Sequence, residues 1–387
     1  MLRLFVLAAQ LPLLLLPMYN AVISLWGWRD QIPAPEGPRD RPVRVLIPAH
    51  DEERVIAGIL SDLAAQDYSS PLDVVVIADR CSDGTVAAVG RTARVDERAE
   101  GKGGKGAALA WHLDREPVGD REVVVVFDAD NRTPSHAISR IVDEIDAGAP
   151  AVQCYLDVTN PSGSILATAS ALSYWASNRM VQLARTNLGW PCDLGGTGMA
   201  FTREALVAGG GFTDDLVEDQ ALGVRLSLAG RYPRWVHSVR IFDEKPTDTR
   251  TTVAQRARWQ SGRRAVAREM VRPLLHQAIA RRSPAMLDLA VRVGQPSRMF
   301  LALMVLILGV VSLLTGSSWL LPASWWLIVA AIAVVMPAFF LWRDGVEMRY
   351  VLRYPALVLL AALWIPIRVA SSFVRTWRPT AHAGGSD

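Results

Sequence analysis

Residues 122–131 read EVVVVFDADN: five uninterrupted apolar residues run straight into two carboxylates separated by one alanine. A run this short and this rich in valine is a buried strand rather than a helix. An Asp-x-Asp at the end of such a strand aims Asp128 and Asp130 into the mouth of whatever crevice the strand ends in. Repulsion between close carboxylates favours a cation there. Hard oxygen ligands suit Mg²⁺ or Mn²⁺, either of which could also bridge a diphosphate. Any acidic turn can produce an isolated Asp-x-Asp, so its neighbours in the chain must decide its meaning.

Working outward from this strand, residues 43–48 (VRVLIP) and 73–78 (DVVVIA) are further buried-strand candidates. Between them, Val55, Ile56, Ile59, Leu60 and Leu63 fall at helical spacing over 53–65. A helix is expected from near Asp83, a plain N-cap type, and another from near Ser135, just after Pro134. Strands alternating with helices predict parallel α/β layers. In open α/β sheets ligands bind beyond the carboxyl ends of the strands. Those ends carry His50-Asp51-Glu52, Asp79 and Asp128-Ala129-Asp130.

The glycine-rich stretch 101–106 (GKGGKG) is neither of the familiar nucleotide loops. A P-loop requires Ser or Thr directly after its Gly-Lys, but Gly106 and Ala107 follow Lys105. A dinucleotide fingerprint would sit immediately after the first strand, where the chain instead reads PAHDEE. What remains is a basic loop in which Lys105 offers a positive charge to a phosphate.

The 387 residues are 51% hydrophobic and 20% charged, more apolar than an ordinary soluble protein, and the excess lies at the two ends. Residues 4–28 carry no charge and close on Trp-Gly-Trp. They are long enough to cross a hydrocarbon core of about 30 Å and longer than a signal-peptide apolar region. Uncharged runs recur at 299–321 and 323–342, joined by a short uncharged link and followed by the basic link around Arg343, Arg349 and Arg353. The positive-inside tendency puts the first link outside and the second in the cytoplasm. A last run, 355–374, contains Arg368, a charge that counts against a crossing. The expected organisation is therefore a transmembrane helix in 1–30, a cytoplasmic α/β domain over 42–250, interfacial helices over 251–298, and two or three transmembrane helices in 299–378.

Residues 250–298 hold eleven arginines against Glu269 and Asp288, with apolar residues between them. That composition suits helices in the headgroup plane, their arginines on lipid phosphates. Adjacency to a membrane run argues against nucleic acid as the partner. Cys81, Cys154 and Cys192 form neither a metal pattern nor a disulfide framework and are expected to be reduced thiols.

The ordered series PAHDEE (48–53), VVVIADRCSDGT (74–85), GKGAAL (104–109), VVVVFDADN (123–131), GGTGMAF (195–201), VEDQALGVRL (217–226) and QRARW (255–259) resembles the membrane-bound glycosyltransferases of family 2. These include cellulose, chitin, hyaluronan and poly-N-acetylglucosamine synthases and ceramide glucosyltransferases. The resemblance covers about residues 42–262. It implies a GT-A type, Rossmann-like nucleotide-sugar-binding domain flanked by transmembrane and interfacial helices. Glu52 and Asp79 would hold the uridine of a UDP-sugar, Lys105 would approach the diphosphate, Asp128 would face the nucleotide, and Asp128 with Asp130 would bind Mg²⁺ or Mn²⁺. Asp219 matches the family's general base. Gln255 and Arg258 would hold the pyrophosphate, and Trp259 would close over the donor or stack on the acceptor. Asp51 stands where Asn is usual, and Val217 replaces the commoner Thr before Glu-Asp.

The implied reaction is inverting transfer from a UDP-sugar to a hydroxyl of a lipid or glycan acceptor, in the cell (inner) membrane by a multi-pass protein. The alternative within the family is a processive synthase extruding a glucose or N-acetylglucosamine polymer. So few membrane runs favour either a homo-oligomeric pore or a non-extruding enzyme. A sugar-nucleotide sensor would have no use for Asp219, and a transporter would need polar residues lining its helices.

Overall fold

The computed structural model describes residues 1–354, 357 and 364–374. Seven strands, β1 (Val43–Ala49), β2 (Leu72–Asp79), β3 (Arg94–Arg98), β4 (Val123–Val126), β5 (Ala151–Val158), β6 (Met199–Thr202) and β7 (Arg234–Asp243), form one sheet in the order β3-β2-β1-β4-β6-β5-β7. The helices of the first half are α1 (Leu2–Ser24), α2 (Ile56–Ala64), α3 (Thr85–Val89), α4 (Lys105–Arg115), α5 (Ala137–Asp146) and α6 (Ile165–Ser177). Then come α7 (Ala184–Asn187), α8 (Arg203–Gly209), α9 (Glu218–Leu228), α10 (Thr249–Ala280), α11 (Pro284–Gly294), α12 (Arg298–Thr315) and α13 (Ala323–Arg343).

The valine runs are buried on both faces because helices cover both. Val123, Val125 and Phe127 join Val45, Ile47 and Val76 in one core, with Ile56 and Ile59 of α2 and Ile138 and Ile141 of α5. Val124 and Val126 join Leu46, Val75 and Ile77 in the other, with Leu109 of α4 and Leu222 of α9. Period-two alternation thus distributes one strand between two cores, which is why these strands read as continuous apolar runs.

The expected strands all form, but the sheet is mixed rather than parallel. β6 runs antiparallel to both β4 and β5. The reason is the route of the chain. The 188–198 segment passes along the carboxyl end of β4, so β6 enters the sheet at that end and must run the other way. Strands β5 and β7 escape a periodicity search because Gln153, Asp157, Arg234, His237 and Arg240 interrupt their apolar character. The helix expected at Asp83 starts at Thr85 with Gly84 as N-cap, though Asp83 still accepts the Thr85 N–H at 2.9 Å. The helix expected near Ser135 starts at Ala137.

Leu2–Trp28, Arg298–Thr315 and Ala323–Arg343 are long and apolar enough to cross a membrane. Their order is set by polar ties at both ends. Gln10 and Arg3 of α1 donate to Trp319 O (2.9 Å) and Ser318 O (2.7 Å) in the α12–α13 link. At the domain end, Arg179 donates to Gly27 O (3.0 Å), Asp30 (2.8 Å) and Asp344 (2.9 Å). Asp344 also accepts from Tyr155 of β5 and His237 of β7. Burial opposes its charge, yet His237, Tyr155 and Arg179 together hold its carboxyl well below the usual range. Within the 355–374 run, residues 355–356 and 358–363 lie outside the described residues, and Trp364–Ala370 is helical.

The arginine-rich stretch departs from helices that present all their arginines to headgroups. α10 packs on α11 and α9 through Val217, Leu274, Met286 and Leu289. Arg292 turns inward to Asp288 (2.9 Å) and Asp193, and Arg264 donates to Ser371 O (2.7 Å). Cys81, Cys154 and Cys192 are free thiols.

Asp344→Ala removes the buried carboxylate shared by Arg179, His237 and Tyr155 and leaves the buried Arg179 guanidinium only the exposed Asp30 as a carboxylate partner. The expected cost is about 3–5 kcal/mol of stability, measured by chemical denaturation of the full chain in detergent. Tyr155→Phe, which removes one neutral donor, should cost about 1 kcal/mol. An Asp344→Ala protein as stable as the parent would remove this junction from the account.

Candidate functional site

All nine residues singled out by sequence line a single cleft of about 490 Å³. Glu52 follows β1, Asp79 ends β2, Lys105 opens α4, and Asp128 and Asp130 follow β4. Asp219 lies in the first turn of α9, and Gln255, Arg258 and Trp259 project from α10. The cleft therefore sits at the carboxyl ends of the parallel strands, with α10 as its far wall.

At its centre, the Lys105 ammonium is paired with Asp128 and donates to Gly196 O at 2.6 Å. Burial opposes the lysine charge, but Asp128, Glu218 and Asp219 outweigh it and raise the amine above its ordinary value. Two glycines permit this closeness. A Cβ on Gly106 would lie 2.0 Å from Thr213 O and 2.7 Å from the Glu218 side chain, so only glycine lets α4 meet the start of α9. Gly196, beside Asp219 and Lys105, has φ +88°, a conformation strained for any residue with a side chain.

The Asp128 backbone N–H donates to Asn131 Oδ1 (2.9 Å) and Thr197 Oγ1 (3.0 Å). Thr197 also donates to Asn131, so the 195–198 loop fixes the turn that displays both aspartates. Backbone bonds between Arg132 and Phe242 (2.9 and 3.0 Å) bring the end of β7 alongside. There Asp243 and Lys245 pair at 2.5 Å, with the ammonium 3.8 Å from the centre of the Tyr174 ring. Asp243 Oδ1 is buried with no hydrogen-bond partner among the described residues, and burial lifts the Asp243 carboxyl despite Lys245. Sequence reasoning missed Asp243 and Lys245 because β7 was not recognised as a strand. Had it been, the rule that ligands sit beyond strand ends would have singled out Asp243-Glu244-Lys245.

Burial, then the charge of Asp219, pushes the Glu218 carboxyl up to about 7. Burial also lifts Asp219, although the Gln220 N–H and Lys105 work against it. Opposite them, Arg258 has no carboxylate partner among the described residues; burial pulls its guanidinium down despite the fields of Glu218, Asp219 and Asp128. The arrangement is a set of close carboxylates held by one ammonium, facing an unpaired guanidinium across open space. Oxygen donors from Asp128 and Asp130, with a buried unpartnered carboxylate oxygen on Asp243 lining the same cleft, fit a hard divalent cation.

The Asp79 carboxylate lines the cleft and also accepts from Arg98 (2.8 Å) and Arg80 (3.2 Å), which hold it in place. Asp51 has φ +58°, a conformation Asp and Asn both tolerate, and it accepts the Ser82 and Asp83 N–H groups at 2.6 and 3.3 Å. The loop therefore keeps its shape with Asp in place of Asn. Asp51, Cys81 and Asp83 also bring potential ligand atoms within 4.8 Å of one another. Asp51 and Asp83 there accept backbone N–H groups, and this group is separate from the Asp128–Asp130 pair.

Comparison with known proteins agrees with this geometry. The model of glycosyltransferase-like family 2 matches residues 38–262. The β-monoglucosyldiacylglycerol synthase of Trichormus variabilis is 26% identical over 238 residues, covering 57% of this chain and 48% of the relative. The probable glycosyltransferase YdaM of Bacillus subtilis is 28% identical over 236 residues, covering 58% and 56%. The chain thus spans about half the length of the curated relatives it matches. Among solved structures, the mannosyltransferase PcManGT from Pyrobaculum calidifontis, in complex with GDP-Man and Mn²⁺, superposes with a TM-score of 0.60 at 21% identity. That match covers 96% of this chain and 98% of the other, and it identifies the fold as GT-A-like. Sheet, cleft and motif order agree with the family match over more than half the sequence, and the chain belongs to glycosyltransferase-like family 2.

Proposed function

We propose that this chain is an integral-membrane inverting glycosyltransferase that moves a sugar from a UDP-sugar to a hydroxyl of a lipid or glycan acceptor. The observation that carries the proposal is the convergence of residues from β1, β2, β4, α4, α9 and α10 on one cleft. Such a cleft combines an acceptor for a proton with cationic groups for a leaving diphosphate.

An acceptor hydroxyl is a poor nucleophile at neutral pH. The Asp219 carboxylate takes its proton as the oxygen attacks the anomeric carbon. The bond from that carbon to the diphosphate breaks, and the electron pair leaves on the phosphate oxygen. Attack from the opposite face inverts the centre, so no protein nucleophile is needed. Arg258 and Gln255 hold the diphosphate as its charge grows. Lys105 is the flexible partner: its ammonium, paired with Asp128 here, can turn to a phosphate oxygen. A Mg²⁺ or Mn²⁺ held by Asp128 and Asp130 would supply further positive charge to the leaving group. The three apolar helices support a membrane location, the basic link after α13 supports a cytoplasmic domain by the positive-inside tendency, and the lipid-synthase relative supports a lipid acceptor.

Incubating membranes with a panel of UDP-sugars and GDP-mannose, with mass spectrometry of the products, tests the reaction. No transfer from any donor would overturn it. Asp219→Asn keeps size and removes proton acceptance, so transfer should fall by about 10²–10⁴-fold with donor affinity unchanged by calorimetry. Near-parent transfer would disqualify Asp219 as the base.

Metal dependence is checked separately. Asp130→Asn should lose the Mn²⁺-dependent part of UDP binding, and excess EDTA should silence the parent. Full activity in EDTA would contradict the assignment.

The pH profile has a definite sign. Asp219 works ionised and its carboxyl is lifted by burial, so the rate should rise with pH through a midpoint above the ordinary aspartate value of about 4. The Asp219 charge in turn lifts Glu218, which is still protonated where Asp219 ionises, so Glu218→Gln should leave that midpoint nearly unchanged.

A further inference from the structure

A second cavity of about 460 Å³ adjoins the cleft. Tyr174, Trp259 and Arg263 line both. Helix geometry explains the division. On α10, Gln255 and Arg258 face the cleft, while Arg256 and Gln260, about 100–160° away around the helix, face the second cavity. Trp259 and Arg263, one turn apart, form the shared edge.

The walls of this cavity have two characters. Deep in it are Leu301 and Val305 of α12 and Val329 and Ile332 of α13, all on helices apolar enough to lie in a bilayer. Near the cleft stand four arginines, 256, 263, 292 and 298, against a single lining carboxylate among the described residues, Asp193, which is paired with Arg292. Arg256 donates to Ser170 Oγ at 2.9 Å and has no carboxylate partner among the described residues; burial pulls its guanidinium down from the ordinary value. Neither Arg263 nor Arg298 has an ion pair among the described residues. Unpaired guanidiniums at the mouth of an apolar cavity call for an anion with a hydrocarbon tail, and phosphate is the oxyanion that the guanidinium fork matches best. A soluble phosphate would leave the apolar depth unfilled, and a neutral lipid would leave the cations unpaired.

We propose that this cavity is the acceptor site and that its ligand is an anionic glycerophospholipid with a free hydroxyl on its headgroup. The chains lie along α12 and α13, the phosphodiester sits on Arg256, Arg263 and Arg298, and the hydroxyl passes Trp259 toward Asp219. The proposal rests on the glycosyltransferase function above for the fate of that hydroxyl. Its oxygen bonds to the anomeric carbon, its proton goes to Asp219, and the nucleoside diphosphate leaves with the electron pair. The binding of the lipid does not depend on that step.

The test uses the full chain in detergent and native mass spectrometry with dioleoylphosphatidylglycerol or dioleoylglycerol. The parent should retain phosphatidylglycerol at least about tenfold more tightly than dioleoylglycerol, the scale of one lost charge-assisted hydrogen bond. Arg256→Gln with Arg298→Gln should erase most of that preference and leave UDP titration unchanged. Equal binding of the two lipids by the parent overturns the proposal without any variant, as does undiminished preference in the double variant. In vesicles of dioleoylphosphatidylcholine carrying one or other lipid, radiolabelled sugar should enter phosphatidylglycerol. Transfer to dioleoylglycerol at an equal or greater rate also overturns the proposal. Selective phosphatidylglycerol binding with no transfer to either lipid from any donor would instead sink the glycosyltransferase reading and leave the lipid site standing.

Discussion

One ammonium organises this protein's cleft. Lys105 holds Asp128 directly and tempers the repulsion among Asp128, Glu218 and Asp219, three carboxylates that arrive from different elements. Without it, bringing these groups out of water together would be prohibitive, because each like charge raises the cost of ionising the next. Lys105 is placed at the first position of α4, and Gly106 beside it allows α4 to touch the start of α9. The energetics of the carboxylate cluster therefore depend on a glycine with no functional group at all.

The same logic of paired burial joins the α/β domain to its apolar helices. Arg179 and Asp344 are buried at the junction, and their partners come from the end of α1, from β5 and from β7. Asp288 repeats the pattern nearby, accepting from Arg185 at 3.0 Å, Arg292 at 2.9 Å and Tyr19 at 2.7 Å. Such pairs add little net stability over apolar packing, but they are directional, and an uncompensated partner is expensive. They thus set the angle at which the helices meet the domain. That angle determines whether the apolar cavity lies against the cleft, and α10, with Trp259 on its edge, is the wall between them.

The GT-A-like sheet explains why so much of the site comes from chain ends. Parallel strands β1, β2 and β4 all finish at one edge of the sheet, and polar residues at a strand end can face solvent without disturbing the core. Antiparallel β6 starts at that edge, so its preceding loop, 195–198, lines the cleft as well. Strand β7 delivers Asp243 and Lys245 to the same place. A mixed sheet therefore gathers three kinds of loop at one mouth, where a purely parallel sheet of this length would offer one.

The chain itself determines β1, β2 and β4, because strands buried on both faces read as near-continuous apolar runs, as VLIP (45–48), VVVIA (74–78) and VVVVF (123–127) do. It also determines the three apolar helices and the ordered motifs from PAHDEE to QRARW, since those depend only on local composition and order. Strands β5 and β7 were not legible. Their Gln153, Asp157, His237 and Arg240 are satisfied by partners far away in sequence, and pattern alone reads such residues as exposed. For the same reason the sequence could nominate Asp219, Asp128 and Arg258 but could not tell that Asp79 is already held by Arg98, or that Lys245 lies over Tyr174. Nor could it divide the arginines of α10 and α11 between a buried pairing, as in Arg292 with Asp193, and an open cavity, as in Arg256. Residue type and local periodicity decide which segments are strand, helix or motif. Which charges are neutralised, and which are left waiting for a ligand, depends on distances between remote segments, and only the tertiary structure sets those.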